Sequence, residues 1–205
     1  MQQGIFALII AAALLAGCAP YGGNNLTQPP RESARPEPSE PPEVPEPSEQ
    51  AEKKTENRVL SAFSTTLLDK KKSRVKNITL AANAVNKAAV MPGETFSFNK
   101  TVGPRTAAKG YEKALVIMKK EKVLGYGGGI CQVSTALYNA AKRAGLEIVE
   151  RHEHNGEVGY VKLGDDATVT YDALDLKIKN TKEIPVKFRV TVGENSVDAA
   201  VIEAR

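Results

Sequence analysis

One cysteine of this 205-residue chain lies where a cysteine can act as a nucleophile. Cys131 lies two residues after the last glycine of the cluster Gly127, Gly128 and Gly129, and an amphipathic helical pattern begins immediately after it. In the first turn of a helix, unpaired backbone N–H groups and the helix dipole favour a thiolate. A glycine turn aims a side chain or lets the backbone approach a ligand closely. The sequence therefore predicts Cys131 as a nucleophile, the alternative being a cysteine that only packs in the core.

Both histidines of the chain follow this cysteine, and each is a candidate general base. His152 and His154 lie 21 and 23 residues after Cys131, and their spacing puts them on one face of an extended segment. Asp165 and Asp166 stand at the entrance to the next predicted strand. A thiol nucleophile needs a base, and the base needs an orienting group. The order predicts His154 or His152 as the base and Asp166 as the orienting group; the alternative for the Asp pair is a turn.

Further residues near these motifs are candidates for binding rather than for proton transfer. Gln132 or the glycine-loop amides would supply oxyanion donors. Arg105 would hold a carboxylate, and Ser134 together with the three glycines completes the candidate binding set. A His-x-His pair can also bind zinc, but structural zinc needs four ligands, so no metal site is predicted. No phosphate loop or dinucleotide fingerprint is present, and no cofactor is predicted.

The N-terminal 56 residues are typical of an export signal followed by a tether. The apolar run over residues 5–17 is shorter than a membrane span and ends in small residues before Cys18. It resembles a bacterial lipoprotein signal, which predicts a signal peptide over 1–17, lipidation of Cys18 and an extracytoplasmic protein anchored to the cell membrane. Residues 18–56 hold nine of the twelve prolines, with Glu and Ser between them, and are predicted to be a disordered tether.

The remaining residues, 57–205, have the length and pattern of a single domain. Of the 28 basic and 24 acidic residues, four and eight fall in the tether, which leaves this domain a net charge of +8. Such a charge suits an anionic wall or membrane surface, the alternative being a solvated lysine-rich surface. Basic residues are not interleaved with aromatic ones, so nucleic-acid binding is not predicted.

Hydrophobic periodicity predicts an α+β fold, a single compact domain with a mainly antiparallel sheet and two principal helices. The helices are predicted over about 74–88 and from Cys131 to a C-terminal glycine at Gly145. Asp175 and Lys177 alternate with apolar residues and are predicted on the solvent face of a strand. The strand predictions are Val59–Leu67, Thr95–Asn99, the hairpin 114–124, Leu146–Arg151, Val158–Val161, Thr168–Tyr171, Leu174–Ile178, Val186–Val192 and Val197–Ile202.

Four segments resemble the VanW family: 96–106, 127–141, 144–154 and 166–177. The similarity runs from about Leu60 to Val192, and the family is associated with vancomycin-resistance clusters and Gram-positive envelope proteins. The chain departs from the family pattern in having Glu153 and Asn155 where Pro and Ser are usual. The order Cys, His, Asp is also similar to that of transglutaminase-like and papain-like thiol enzymes.

Two functions are compatible with these features. The first is a cell-envelope domain that binds or models peptidoglycan, a wall glycan or a wall-associated peptide. The alternative is a cysteine-nucleophile enzyme that hydrolyses amides or transfers acyl groups with Cys131, His154 and Asp166. The expected partners are a wall peptide or glycan and the membrane, through the lipid anchor at Cys18.

Overall fold

The computed structural model describes residues 58–118 and 121–204. The predicted signal peptide, the lipidation of Cys18 and the tether lie outside these residues. The described chain forms nine strands, three α-helices and one 3₁₀ turn. In chain order they are β1 (Val59–Thr66), α1 (Lys72–Val85), β2 (Ala89–Val90), β3 (Thr95–Ser97), α2 (Phe98–Val102), the 3₁₀ turn (Ala107–Lys109), β4 (Lys113–Met118), β5 (Glu121–Tyr126), α3 (Ile130–Arg143), β6 (Glu147–Glu150), β7 (Lys177–Lys179), β8 (Val186–Val192) and β9 (Ser196–Glu203).

The strands form three antiparallel sheets, and the largest of them supports both long helices. Its order is β1-β9-β8-β2, while β3-β7-β6 and the hairpin β4-β5 make the two smaller sheets. Alternate residues of β8 are buried, and β9 is buried along most of its length. These strands pack with α1 and α3 into one hydrophobic core that includes Ile78, Leu137 and Phe188. Burying each such side chain stabilises the fold by roughly 1.5–3 kcal/mol.

Helix α3 begins at the glycine turn and ends in a glycine cap. Gly145 has φ 72°, and its N–H donates to the carbonyl of Lys142 while Leu146 N–H donates to Ala141. These two bonds are the Schellman pattern, which satisfies carbonyls that the helix end leaves open. The prediction of Gly145 as the terminating residue is confirmed. Helix α3 is therefore fixed at both ends by glycine conformations.

The fold class is confirmed as α+β with mainly antiparallel sheets, but several strand predictions were wrong. Residues 158–161 form an irregular loop, in which Gly159 has φ 74° and follows Gly156 with φ 139°. Residues 168–171 make only isolated bridges, His152 to Thr168 and Thr170 to Leu174. Phe98 begins a helix rather than extending a strand. Within the described part of the chain, no helix is long and apolar enough to cross a membrane.

Candidate active site

Cys131 is the second residue of α3 and lies half-buried beside the chain segment 165–170. Its Sγ is 3.6 Å from the hydroxyl oxygen of Thr168 and 3.6 Å from the carbonyl oxygen of Val169. The first turn of α3 contains no acidic side chain. Acidic groups would oppose the helix dipole that favours a thiolate at this position. Cys131 therefore lies at a helix start, where the helix dipole favours the thiolate.

His154 and Asp166 form a directly hydrogen-bonded pair in which the carboxylate fixes the ring. One oxygen of Asp166, Oδ2, accepts from both the backbone N–H of His154 at 2.6 Å and its Nδ1 at 2.5 Å. Only 11% of the His154 side chain and 4% of the Asp166 side chain are exposed. A carboxylate can only accept, so Nδ1 carries the proton, and Nε2 of the neutral ring is free to accept one. A histidine oriented by a carboxylate in this way has the arrangement of a general base in a thiol triad.

Electrostatics couple the thiol to this imidazole. Burial alone raises the pKa of Cys131, but hydrogen bonding to His154 and its charge outweigh burial and leave the pKa below its ordinary value. Burial alone lowers the pKa of His154, while Cys131 and then Asp166 raise it, and the net pKa is raised. These opposite shifts bring the two pKa values closer together, so the thiolate and the imidazolium each stabilise the other. The Cys131 thiolate therefore persists to lower pH than that of an ordinary thiol.

The glycine turn before Cys131 is required by close packing. A Cβ on Gly128 would lie 2.6 Å from the carbonyl oxygen of Leu115 and 2.8 Å from the carbonyl carbon of Ala114, both of them backbone atoms. Gly129 has φ 105°, which side-chain-bearing residues rarely adopt. The buried amide of Asn77 donates to the Gly128 carbonyl at 3.2 Å and ties the turn to α1. The turn thus fixes the backbone that carries Cys131.

A buried polar stripe on α3 holds the segment that carries Asp166. Ser134 Oγ donates to the Ala167 carbonyl at 2.7 Å, and Ala167 N–H donates to Thr135 Oγ1 at 3.0 Å. Asn139 Nδ2 donates to the Asp165 carbonyl at 2.6 Å. Ser134, predicted as a binding residue, is fully buried, and its hydroxyl is hydrogen-bonded to the Ala167 carbonyl. The stripe follows Cys131 at helical spacing, i+3/i+4 and i+8, and this sequence signal could have identified it.

Arg151 is a second positioning residue, which the sequence patterns did not single out. Its Nε and Nη2 donate to the backbone carbonyls of Asp166 at 2.6 Å and Gly164 at 2.8 Å. Nη2 also lies 3.4 Å from Asp166 Oδ1, the carboxylate oxygen that His154 does not use. The guanidinium lies 4.9 Å from the ring centroid of Tyr138. Arg151 therefore balances the charge of the nearly buried carboxylate and fixes its backbone.

Gln132, predicted as an oxyanion donor, has its amide hydrogens committed elsewhere. Its Nε2 donates to Thr65 Oγ1 at 3.1 Å and to the Thr66 carbonyl at 2.9 Å, and the residue is 1% exposed. Its Oε1 accepts from Arg74. The backbone N–H of Cys131, in contrast, has no acceptor within the described residues. That N–H is the donor this site offers to an oxyanion.

His152 points to a different set of partners from His154. Its Nε2 lies 2.9 Å from Glu150 Oε1, and Glu150 Oε2 pairs with Lys177 at 2.7 Å. The two histidines, predicted to lie on one face, have different partners: His152 lies beside Glu150 and His154 beside Asp166. Among residues 58–118 and 121–204, no group of three or more His, Cys, Asp or Glu side chains is arranged to hold a metal ion.

Arg105 lies against the glycine turn, as a predicted binding residue should. Its Cβ and Cγ would each be 2.9 Å from a Cβ on Gly127. Nη2 donates to Asn99 Oδ1 at 2.7 Å, and the guanidinium lies over the rings of Phe98 and Tyr171 at 5.8 and 5.6 Å. Burial lowers the pKa of Arg105, and Tyr111 and Cys131 are among the groups that oppose this shift. The structure thus brings Arg105 into electrostatic reach of the thiol.

Comparison with known proteins places most of the described domain in one group. The family model described as "VanW like protein" matches residues 73–202. "Uncharacterized protein YoaR" of Bacillus subtilis (strain 168) is 47% identical over 130 residues, which are 63% of this chain and 43% of that protein. "Vancomycin B-type resistance protein VanW" of Enterococcus faecalis (strain ATCC 700802 / V583) is 29% identical over 131 residues, 61% of this chain and 47% of that protein. The match therefore spans less than half the length of these curated relatives. No solved structure matches the chain.

Proposed function

This chain belongs to the VanW family, and we propose that it is a cysteine-dependent acyl-transfer enzyme acting on an amide bond of a wall-associated peptide. The observation that carries the proposal is the hydrogen-bonded pair of His154 and Asp166 beside the Cys131 thiol. The hydrogen bond between His154 and Asp166 and the electrostatic interaction of Cys131 with His154 support this proposal, because a thiol triad needs both. Peptide amides are the bonds that such triads cleave.

The residues present account for each step of such a reaction. The Cys131 thiolate forms a bond to the amide carbonyl carbon, and the oxyanion is stabilised by the backbone N–H of Cys131. Protonated His154 gives its proton to the amide nitrogen, the C–N bond breaks, and a thioester remains on Sγ. An incoming amine or water then attacks the thioester and gives its proton to His154, and the C–S bond breaks. The thiolate–imidazolium pair is restored.

The choice of a wall-associated peptide rests on family and sequence features. The E. faecalis relative is, by its name, a vancomycin-resistance protein, which supports a role at the cell wall. The predicted leader and lipidation at Cys18 would place the domain outside the cytoplasmic membrane, and the predicted tether would let it reach the wall. The net charge of +8 over residues 57–205 suits an anionic wall.

A non-catalytic recognition module is the second candidate. A cleft beside the site favours this candidate. Cys131 is not among the residues that line the cleft, so a ligand bound there need not contact the thiol. In such a module the glycine turn and the triad would only shape a rigid binding surface. The two candidates differ in whether a covalent bond to Cys131 ever forms.

Intact-protein mass spectrometry distinguishes these candidates. The full chain is incubated with soluble peptidoglycan fragments and quenched in acid, which preserves thioesters. We expect a mass increase equal to an acyl fragment, together with release of the amine product. The adduct should be absent from Cys131→Ser and retained in His152→Gln, the matched histidine control. Binding without any adduct or released amine would overturn the enzymatic proposal.

A further inference from the structure

An open cleft of about 530 Å³ lies next to the thiol site and takes no part in the chemistry described above. It is formed where the turn that precedes β7 meets α2 and the 3₁₀ turn. The lining residues are Asn99, Lys100, Gly103, Pro104, Lys109, Glu150, Tyr171, Asp172, Ala173, Asp175 and Lys177. Its size and polar lining suit a flexible polar ligand rather than an apolar one.

Two connections join this cleft to Cys131. Val169 contacts Sγ through its carbonyl, and Tyr171, two residues later, lines the cleft. An extended chain rises about 3.3 Å per residue, so Tyr171 lies within about 7 Å of Val169 along the backbone. Arg105 makes the second connection, because it packs on Gly127 of the glycine turn and lies over the Tyr171 ring. A peptide can therefore occupy the cleft and present a neighbouring amide to Cys131.

Two carboxylates of the cleft are held by partners within the protein. Asp175, predicted on the solvent face, is buried instead, and it accepts hydrogen bonds from Ser97 Oγ and from the N–H groups of Asn99 and Leu176. Glu150 pairs with Lys177 and His152, and the hydrogen bond from Lys177 is the largest cause of its lowered pKa of about 2. Lys177 balances the charge of Glu150, and the carboxylate of Asp175 is turned to three donors within the protein, so both acids oppose an anionic ligand less than free carboxylates would.

The charges that remain favour an anion. Lys100 and Lys109 are exposed and form no ion pair with any described residue. Among the lining carboxylates, Asp172 and Asp175 have no ion-pair partner in the described part of the chain, but Asp175 is buried and accepts three hydrogen bonds.

Arg105 adds a half-buried cation beside the cleft, stacked on Tyr171 of its lining. Its Nη1 has no hydrogen-bond partner among the described residues, although Nη2 is bonded to Asn99. A buried guanidinium N–H without a partner is costly, and a carboxylate is the acceptor that fits its planar fork.

We propose that this cleft binds a carboxylate of the acyl-donor peptide, through Lys100, Lys109 and Arg105, and so selects an acidic residue next to the cleaved amide. The inference rests on the proposed function, because the cleft is assigned to the substrate of Cys131. Arg105 does not line the cleft itself, and Tyr171, which is 40% exposed, lies over its guanidinium, so a ligand that reaches Nη1 has to displace this ring. Asp172, the only described non-glycine residue with positive φ, at 64°, shapes the turn that holds this tyrosine.

Two probes that differ only in carboxylates test this selection. One is a disaccharide–pentapeptide wall fragment with its side-chain carboxylates free, and the other is the same fragment with those carboxylates amidated. Dissociation constants are measured by calorimetry with the full chain carrying Cys131→Ser, so that no chemistry intervenes. We expect the free carboxylate to bind about tenfold more tightly, as charge-assisted bonds to Lys and Arg predict.

Variants in the same background identify the responsible side chains. The double variant Lys100→Gln/Lys109→Gln changes only exposed residues and should reduce the preference to about twofold, and Arg105→Lys should also reduce it. Lys87→Gln, at an exposed lysine outside the cleft, should keep the full preference. Equal affinity for both probes, no binding of either, or a preference that survives all cleft variants overturns the inference.

The outcome is separable from the fate of the enzymatic proposal. If the wild-type chain forms the thioester but the probes bind equally, only the carboxylate selection is wrong. If the probes are distinguished but no thioester forms, the cleft remains a carboxylate site and the enzymatic proposal is wrong.

Discussion

The thiol site and the adjacent cleft share the chain segment 168–173, but they treat polar groups in opposite ways. At the thiol site Asp166, Ser134 and Asn139 are buried, and each has fixed partners. In the cleft, Lys100 and Lys109 are exposed and form no ion pair within the described residues. Buried, satisfied groups hold geometry, whereas exposed charges attract ligands and tolerate change. This difference agrees with the proposal that the thiol site carries out the chemistry and the cleft recognises the ligand.

The two histidines provide the sharpest test of this separation. His154→Gln removes the base and should lower the rate of amide cleavage about 10³-fold, within the range for general acid–base catalysis. His152→Gln, two residues away, should change the rate less than about threefold, because His152 contacts Glu150 rather than Asp166. The rates are measured by amine release from wall fragments. Equal losses in both variants would contradict the assignment of His154.

Asp166→Asn keeps the shape of the side chain but removes its charge. We expect the rate to fall about 10²-fold or more, because an amide in place of the carboxylate disturbs the His154 tautomer. Stability should also fall by about 1–3 kcal/mol, since Arg151 loses its buried counter-charge. Amine release and chemical denaturation measure the two effects. Asp165→Asn, at a more exposed neighbour, is the control and should change both by little.

Gly128→Ala tests whether the glycine turn is a packing requirement. The added methyl group would meet backbone atoms of β4 at 2.6 and 2.8 Å, so we expect a loss of about 1–3 kcal/mol in the free energy of unfolding. Gly193→Ala should cost much less, because its nearest neighbours lie at 3.4 and 3.6 Å. Urea denaturation of both variants measures the difference. Similar stability in the two variants would show that the turn has room to relax.

The smallest effect is expected from the ion pairs beside the cleft. Glu150 has a folded-state pKa of about 2, well below its unfolded value, so its contribution to stability is present near neutral pH and is lost as pH falls towards 2. Glu150→Gln should therefore lower the melting temperature at pH 7 by a few degrees. The gap between the two proteins should close by about pH 2. A gap that is independent of pH would mean that Glu150 acts through packing instead.

The elements of the core and the position of Cys131 at the start of α3 were predictable from the sequence, because their signals are local. Apolar periodicity and Gly145 located α3, and the glycine turn before the helix singled out Cys131. The choice between His152 and His154 was not predictable. It depends on a loop that brings Asp166 to His154 from 12 residues further along the chain. Such a contact leaves no periodic signal.

The hydrogen-bond partners of buried polar side chains could not be predicted from the sequence either. The alternation of apolar residues predicted Asp175 on the solvent face. The side chain is buried instead and accepts three hydrogen bonds, from β3, from α2 and from the next residue in the chain. The position of Gln132 predicted an oxyanion donor, yet its side-chain amide donates to Thr65 and Thr66, the last two residues of β1. Both errors have the same origin, because the direction of a polar side chain depends on tertiary partners that spacing does not encode.

The pH dependence of Cys131 alkylation tests the central claim most directly. The lowered pKa of Cys131 and the raised pKa of His154 predict a thiolate that persists below the ordinary thiol pKa. Iodoacetamide modification, followed by mass spectrometry, should therefore reach half its maximum rate well below the usual midpoint of about pH 8.5 for a free thiol. In His154→Gln the midpoint should move to higher pH. A wild-type midpoint at or above the free-thiol value, unchanged in His154→Gln, would contradict the triad.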